Sequence, residues 1–283
     1  MGGRVGSLLS FRRDGHLSGK AMNIETNGIR LHCEVEGEGP WLAMSHSLAC
    51  NLSMWDHEAR ALSKRFKVLR FDTRGHGRSD APARPYSLEM LADDVKGLFD
   101  ALGVRAAHWV GLSMGGMIGQ TFALRYPGIF RSLVLADTTS RYPKEAWPVW
   151  QERIRLAEAQ GMEPLVAPTL ERWFTEPFRK AHPERVAPIA AAIRSTPVAG
   201  YVGCSHAIPK IDLTARLKDI GAPTLVIVGE DDPGTPVAMA REIHEAMPGS
   251  ELVVIPRAAH LANVEQPEAF GSALERFYAR VAA

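Results

Sequence analysis

Gly111-Leu112-Ser113-Met114-Gly115 follows a short apolar run at residues 107–110 and precedes a helix-like stretch that ends near Pro127. This is a Gly-x-Ser-x-Gly pattern at the junction of a strand and a helix. A serine on so sharp a turn takes a strained backbone conformation, and the flanking glycines let neighbouring backbone pass without a Cβ clash. The pattern predicts that Ser113 is a nucleophile above the edge of a sheet. The alternative is a glycine-rich loop that merely contains a serine.

Short apolar runs alternate with amphipathic stretches on both sides of this turn, at residues 31–35, 41–44, 68–71, 107–110, 133–136, 224–228 and 252–255. Such runs are typical of strands that are buried on both faces of a parallel sheet. Helical spacing is clear at residues 91, 95, 98 and 102 before Gly103, and at residues 270, 274, 277 and 281 after Pro267. The alternation predicts an α/β fold with a mostly parallel sheet flanked by helices.

Residues 141–211 lack this strand pattern and carry tryptophans, phenylalanines and prolines instead. We predict an inserted helical cap there, with the α/β core at residues 22–140 and 212–283. Packing between cap and core explains most of the aromatic residues, but a cap above the strand ends is also where a substrate pocket lies. Residues 1–21 are predicted to be a disordered extension.

The composition excludes several classes of protein. The 33 basic and 32 acidic residues leave a net charge of +1, which indicates neither a nucleic-acid nor a membrane partner. The three cysteines are widely spaced, which argues against a zinc site or a disulfide framework and favours a cytoplasmic protein. No apolar run approaches the roughly 20 residues that a membrane span needs.

A serine nucleophile needs a base, a group that orients the base, and donors for the oxyanion. His260 is the candidate base, because it follows the last strand-like run and precedes the terminal helix. Asp231 and Asp232 follow the run at residues 224–228, and Asp137 follows the run at residues 133–136; each is a candidate for the orienting acid. The order serine, aspartate, histidine is typical of this sheet topology.

The oxyanion donors are expected to be backbone amides. One is that of Met114, the residue after the nucleophile, and the other is that of Leu48 in the loop Ser45-His46-Ser47-Leu48-Ala49. His46 is interpreted as structural and His76 as turn-forming.

Together these residues resemble the α/β-hydrolase superfamily over residues 22–281. The segments Ser45-His46-Ser47-Leu48, Met54-Trp55-Asp56, Arg70-Phe71-Asp72-Thr73-Arg74-Gly75-His76-Gly77, Gly111 to Gln120 and Arg172-Trp173-Phe174-Thr175 are similar to 3-oxoadipate enol-lactonases. Many relatives have glycine at the position of Ser47, whereas the lactonase-like group has serine there, as this chain does. His46 stands where asparagine is expected. The resemblance favours Asp232 as the acid, directly before the turn that contains Pro233.

The resemblance implies hydrolysis of 3-oxoadipate enol-lactone in aromatic catabolism, with Ser113 as nucleophile, His260 as base and Asp232 as orienting acid. The partners are then a small ester or lactone and water, with no metal or organic cofactor. The substrate's carboxylate needs a cation or donors, for which Arg141 and Trp147 are the candidates. The alternatives are a broad carboxylesterase or arylesterase with perhydrolase side activity, a C–C bond hydrolase, and a binding protein without turnover. The oligomeric state stays open and includes a homo-oligomer.

Overall fold

A computed structural model describes residues 19–281 of the 283-residue chain. Within this range the strands are β1 (Lys20–Thr26), β2 (Ile29–Glu36), β3 (Trp41–Ser45), β4 (Lys67–Phe71), β5 (Ala107–Leu112), β6 (Phe130–Ala136), β7 (Thr224–Gly229) and β8 (Glu251–Ile255). They form one sheet in the order β1-β2-β4-β3-β5-β6-β7-β8. β1 and β2 pair antiparallel, β2 pairs antiparallel with β4, and every pair from β4 to β8 is parallel. The prediction of a mostly parallel sheet is confirmed.

The edges of the sheet differ from the prediction in two ways. β1 begins at Lys20, so the core begins inside the predicted extension at residues 1–21, of which residues 1–18 lie outside the described range. β1 has no apolar run because its side chains alternate between exposed and half-buried positions along an edge strand. β8 was predicted to be buried on both faces, but its first four residues are half-buried because β8 is the opposite edge strand.

The α-helices of the described residues are α1 (Asp56–Leu62), α2 (Leu88–Leu102), α3 (Met114–Arg125), α4 (Trp147–Gln160), α5 (Glu163–Trp173), α6 (Glu176–Ala181), α7 (Pro183–Ser195), α8 (Val198–Ala207), α9 (Val237–Ala246), α10 (Ala262–Glu265) and α11 (Pro267–Val281). The helix predicted before Gly103 is α2, which Ser87 caps at its start and Gly103 ends with φ 70°. The helix predicted after Pro267 is α11. Over residues 19–281, no helix has both the length and the apolar character needed to cross a membrane.

The centre of the sheet carries the most completely buried elements. Every residue of β5 is buried, and so are the first ten residues of α3, which follows β5 after a single residue. The Trp109 ring of β5 lies 5.1 Å from the Phe130 ring and 6.1 Å from the Phe71 ring, centroid to centroid. This packing fixes the turn between β5 and α3 at the middle of the sheet.

We call α4 to α8, residues Trp147–Ala207, the helical insertion. The chain enters and leaves it at one point, because the Leu213 amide donates to the Ser140 carbonyl over 2.8 Å and Arg141 forms an isolated antiparallel bridge with Asp212. The segments on either side lead to β6 and β7, which are neighbours in the sheet. The insertion therefore begins and ends beside the carboxyl ends of two parallel strands.

Candidate active site

Ser113 is the one residue between β5 and α3, and its backbone takes φ 56° and ψ −114°. A residue with a side chain rarely adopts a positive φ, so the surrounding structure must hold this conformation in place. The Ser113 amide donates to the Ala136 carbonyl over 2.8 Å, and the Ser113 carbonyl accepts from the Thr138 hydroxyl over 2.7 Å. Both partners come from the end of β6 or the residues after it, so the adjacent strand fixes the turn.

The glycines on either side of the turn leave no room for side chains. A Cβ on Gly111 would lie 2.2 Å from the Gly115 carbonyl oxygen, and a Cβ on Gly115 would lie 2.2 Å from the Ser45 carbonyl oxygen. Real Cβ atoms do not approach backbone oxygens so closely. The two glycines let α3 pack directly against β5 and against the end of β3, as their spacing in the sequence predicts.

His260 and Asp232 form a buried hydrogen-bonded pair. The His260 Nδ1 atom lies 2.8 Å from Asp232 Oδ2, and the Thr235 hydroxyl donates to the same oxygen over 2.6 Å. The amides of Gly234 and Thr235 donate to Asp232 Oδ1 over 2.7 and 3.1 Å. An ionised aspartate accepts the Nδ1 proton, and this arrangement leaves Nε2 of His260 with a free lone pair.

The donors around Asp232 decide its charge. Burial alone would raise the pKa of this carboxyl, but the charge and hydrogen bond of His260, together with the Thr235 donors, lower the pKa below its ordinary value. Asp232 therefore stays ionised at neutral pH and can stabilise a protonated His260.

The other two candidate acids are placed differently. Asp231 is exposed, and its amide donates to the Ala258 carbonyl. Asp137 is buried, and its Oδ1 atom accepts from the Gly229 amide over 2.7 Å. Burial, and next the charge of Asp232, raise the pKa of Asp137 well above its ordinary value, which favours the protonated carboxyl. Of the three aspartates, Asp232 is the one in contact with His260.

Two buried histidines shape the loop after β3. The His46 Nε2 atom accepts from the Thr73 amide over 3.0 Å, while its Nδ1 atom lies 2.7 Å from the Ser47 carbonyl oxygen. The His76 Nε2 atom accepts from the Ala49 amide over 2.9 Å. Burial lowers the pKa of His46 to about 4 and that of His76 to about 3, so both rings are neutral.

The loop after β3 and the start of α3 carry the two predicted oxyanion amides. The Ala49 amide is bound to His76, whereas Leu48 precedes it and lines the same cavity as Ser113. Met114 is the first residue of α3, where amides have no acceptor within their own helix. Leu48 and Met114 are thus compatible with the predicted oxyanion donors.

The cavity at this site has a volume of about 220 Å³, and both the core and the helical insertion line it. The core contributes Ser113, His260 and Leu48, and the insertion contributes Arg153, Arg172 and other residues. The space suits a small molecule. In the part of the chain that the structure describes, no cluster of three histidine, cysteine, aspartate or glutamate side chains is arranged to hold a metal ion.

The two substrate-binding residues predicted from the sequence do not line this cavity. The Arg141 side chain is 60% exposed, and its Nε atom lies 2.5 Å from Glu242 Oε1. Trp147 is exposed and borders a separate, smaller cavity beside α8. Both residues lie near the start of the insertion, but the structure does not bring their side chains to the cavity that contains Ser113 and His260.

Arg153 and Arg172 are the cations that the sequence reasoning missed. Arg153 lies on α4 with its guanidinium 4.9 Å from the centroid of the Trp150 ring, and Arg172 lies on α5 and donates to the Thr169 hydroxyl over 3.1 Å. Among residues 19–281, neither guanidinium has a carboxylate within 4.0 Å. Burial, and next the charge of Arg153, lower the pKa of Arg172. Two uncompensated positive charges therefore face one small cavity.

Comparison with known proteins finds a family model and relatives that match most of the chain. Residues 40–267 match the model of a protein family whose description is 'alpha/beta hydrolase fold'. The chain is 36% identical over 240 residues to 3-oxoadipate enol-lactonase 2 of Acinetobacter baylyi, which covers 85% of this chain and 89% of that relative.

Two solved structures are similar over nearly their whole length. The enol-lactonase from Burkholderia xenovorans LB400 has a TM-score of 0.88 and 37% identity, covering 91% of this chain and 100% of that one. A thermophilic esterase from Thermogutta terrifontis, solved with malate bound, has a TM-score of 0.88 and 29% identity, covering 93% and 99%.

Proposed function

This chain belongs to the α/β-hydrolase family and is a hydrolase, and from that premise we propose that it opens the ring of 3-oxoadipate enol-lactone. Ser113 is the nucleophile, His260 the general base and Asp232 the acid that orients His260. Leu48 and Met114 supply the oxyanion amides. The substrate is a small molecule and the second reactant is water.

The first half of the reaction forms an acyl-enzyme. The Ser113 hydroxyl attacks the lactone carbonyl while His260 Nε2 takes its proton, and the new oxyanion lies against the two amides. The ring C–O bond then breaks, and the leaving oxygen departs as an enolate. The enolate takes the proton that His260 holds and becomes the ketone, so His260 is neutral again. Conjugation stabilises the enolate, so this leaving group needs less help from an acid than an amine would.

The second half releases the product. His260 takes a proton from water, the hydroxide attacks the acyl carbonyl, and Ser113 leaves with the proton held by His260. The product is the open 3-oxo dicarboxylate. The negative charge of Asp232 stabilises the histidine cation in both halves, because its pKa is held low by His260 and Thr235.

One observation supports this substrate above a neutral ester. Arg153 and Arg172 face the cavity that contains Ser113 and His260, and within the described range neither has an acidic partner. A guanidinium pair is suited to a carboxylate, which forms strong charge-assisted hydrogen bonds with arginine. The enol-lactone carries one carboxylate at the end opposite the ring carbonyl. The malate bound to the Thermogutta terrifontis esterase is also a carboxylate ligand.

The test is steady-state hydrolysis of 3-oxoadipate enol-lactone beside 4-nitrophenyl acetate, with the Ser113→Ala variant as the blank. We expect kcat/KM for the lactone to exceed that for the ester about a hundredfold, which is about 2.7 kcal/mol of transition-state binding. Ser113→Ala should remove both activities without unfolding the protein.

Other outcomes refute separate parts of the proposal. Efficient ester cleavage with negligible lactone turnover would make the protein a general esterase on the same site. Normal turnover by a folded Ser113→Ala variant would remove Ser113 as the nucleophile.

A further inference from the structure

The two backbone amides on either side of His260 are both bound. The Ala259 amide donates to Glu265 Oε2 over 2.9 Å, and the Leu261 amide donates to the Trp173 carbonyl over 3.1 Å. The first acceptor lies at the end of α10 and the second at the end of α5 in the helical insertion. The backbone of His260 is therefore held from both the core and the insertion.

Glu265 also reaches the insertion directly. Its Oε1 atom accepts from the Thr175 amide over 3.1 Å and from the Thr175 hydroxyl. The Glu265 residue is 3% exposed, and among residues 19–281 it has no lysine, arginine or histidine partner within 4.0 Å. A buried carboxylate needs donors in place of water, and these three are the donors it has. One carboxylate thus joins Thr175 of the insertion to the residue before His260.

The segment that Glu265 fixes includes the wall of the cavity. Trp173 is two residues before Thr175, and its ring centroid lies 5.9 Å from that of His260. Arg172 directly precedes Trp173 and also lines the cavity. Any shift of this segment would move the His260 ring, its aromatic neighbour and the candidate carboxylate-binding arginine together.

We propose that Glu265 is a positioning residue that holds His260 at a fixed position relative to the end of α5. The base and the cavity wall thereby keep one relative geometry. This inference rests on the proposed role of His260 as the base. Glu265 does not touch the substrate; it acts through the Ala259 amide and Thr175.

Two substitutions remove parts of this link. Glu265→Gln keeps the size of the side chain but replaces one oxygen with an NH₂ group, which then faces a donor. Thr175→Val removes only the hydroxyl and keeps the amide. Thr175→Ser retains the hydroxyl and is the matched control, and Glu268→Gln changes an exposed carboxylate on the next helix.

We expect Glu265→Gln to lower kcat about 10- to 100-fold, because a small misplacement of a catalytic group has an effect of that size. Thr175→Val should lower kcat about tenfold or less, and KM should change less than about threefold in both variants. Thr175→Ser and Glu268→Gln should have native kcat. All rates are measured well below the unfolding temperature of each variant.

A second readout reports His260 without requiring the lactone. Diethyl 4-nitrophenyl phosphate phosphorylates a serine nucleophile that has a working base, and release of 4-nitrophenolate gives the rate. We expect this rate to fall in proportion to kcat in Glu265→Gln and Thr175→Val.

Native kcat and native labelling rates in folded Glu265→Gln and Thr175→Val, with only a lower unfolding temperature, would overturn the proposal and leave Glu265 a purely structural residue. If Glu265→Gln does not fold, Thr175→Val against Thr175→Ser decides. A native protein that ignores the lactone but is labelled at Ser113 would refute the proposed substrate and still test Glu265.

Discussion

The carboxyl ends of the strands and the helical insertion form the same cavity, but different kinds of contact hold their residues in place. At the carboxyl ends of the strands, backbone contacts fix the groups. Ser113 has a positive φ that the end of β6 holds in place, and two amides donate to Asp232. In the insertion, Arg153 and Arg172 project from helices and rest on the side chains of Trp150 and Thr169. Backbone contacts fix the proposed chemistry, whereas side-chain contacts set the proposed substrate preference, so substitutions in the two regions should have different signatures.

The largest effect on activity is expected from Asp232→Asn, which lies after the carboxyl end of β7. An asparagine presents a neutral group to His260 and favours the wrong tautomer, so kcat should fall about 10⁴-fold. Steady-state kinetics on the lactone and on 4-nitrophenyl acetate should show the same loss, because this residue acts on the base and not on one substrate.

Asp137→Asn is the matched control for this prediction. Asp137 accepts from the Gly229 amide through Oδ1, and the carbonyl oxygen of an asparagine can accept in the same way. Burial raises the pKa of Asp137, which favours the neutral form that asparagine resembles. We expect its kcat to stay within about threefold of native. A larger loss in Asp137→Asn than in Asp232→Asn would reverse the assignment of the acid.

A smaller and substrate-dependent effect is expected in the insertion. Arg172→Gln and Arg153→Gln should each lower kcat/KM for the enol-lactone about 10- to 100-fold, which is the value of a hydrogen bond to a charged group. Hydrolysis of 4-nitrophenyl acetate should change less than about threefold, since this ester has no carboxylate.

Arg155→Gln is the control for Arg153→Gln, because Arg155 lies on the same helix, α4, but is exposed and paired with Glu152. It should leave both activities unchanged. Equal losses on the lactone and the neutral ester in Arg172→Gln would mean that Arg172 supports the fold of the cavity and does not select the carboxylate.

The same contrast explains what the sequence could predict. The parallel strands, α2 and α11 follow from apolar runs and periodic spacing, and the Gly-x-Ser-x-Gly pattern places Ser113 because only glycine fits beside the turn. His260 and Asp232 could be proposed because each follows a strand, and the carboxyl ends of parallel strands lie along one edge of the sheet.

The residues of the insertion could not be predicted in the same way. Whether Arg141 or Arg172 faces the cavity depends on the packing of five helices, and no local pattern records that packing. Arg172 does stand in the segment Arg172-Trp173-Phe174-Thr175 that carries part of the resemblance, which was the available signal. Glu265 lies in a helical stretch where a glutamate is ordinarily solvated, and only the structure shows that it is buried against Thr175.

The smallest effect on activity is expected from Glu58→Gln, which tests a buried carboxyl of the core that the proposed chemistry does not use. Glu58 on α1 is 2% exposed, and the Asn263 Nδ2 atom donates to its Oε2 atom over 3.5 Å. Burial raises the pKa of Glu58 from 4.5 to about 7, whereas the donors around Asp232 lower its pKa. The two buried carboxyls therefore differ in the number of donors that face them.

The sign of the pH dependence follows from the raised pKa. Below pH 4.5 Glu58 is protonated in both folded and unfolded chains; between pH 4.5 and about 7 only the unfolded chain releases the proton, so this group lowers the free energy of unfolding as the pH rises. The loss should reach about 3 kcal/mol relative to Glu58→Gln, whose amide does not titrate. Urea denaturation of both proteins across this range measures the difference and cancels titrations that they share, such as those of His46 and His76. A constant difference from pH 4.5 to 8 would mean that Glu58 is already ionised in the folded protein, in which case the Asn263 contact stabilises its charge as the donors around Asp232 do.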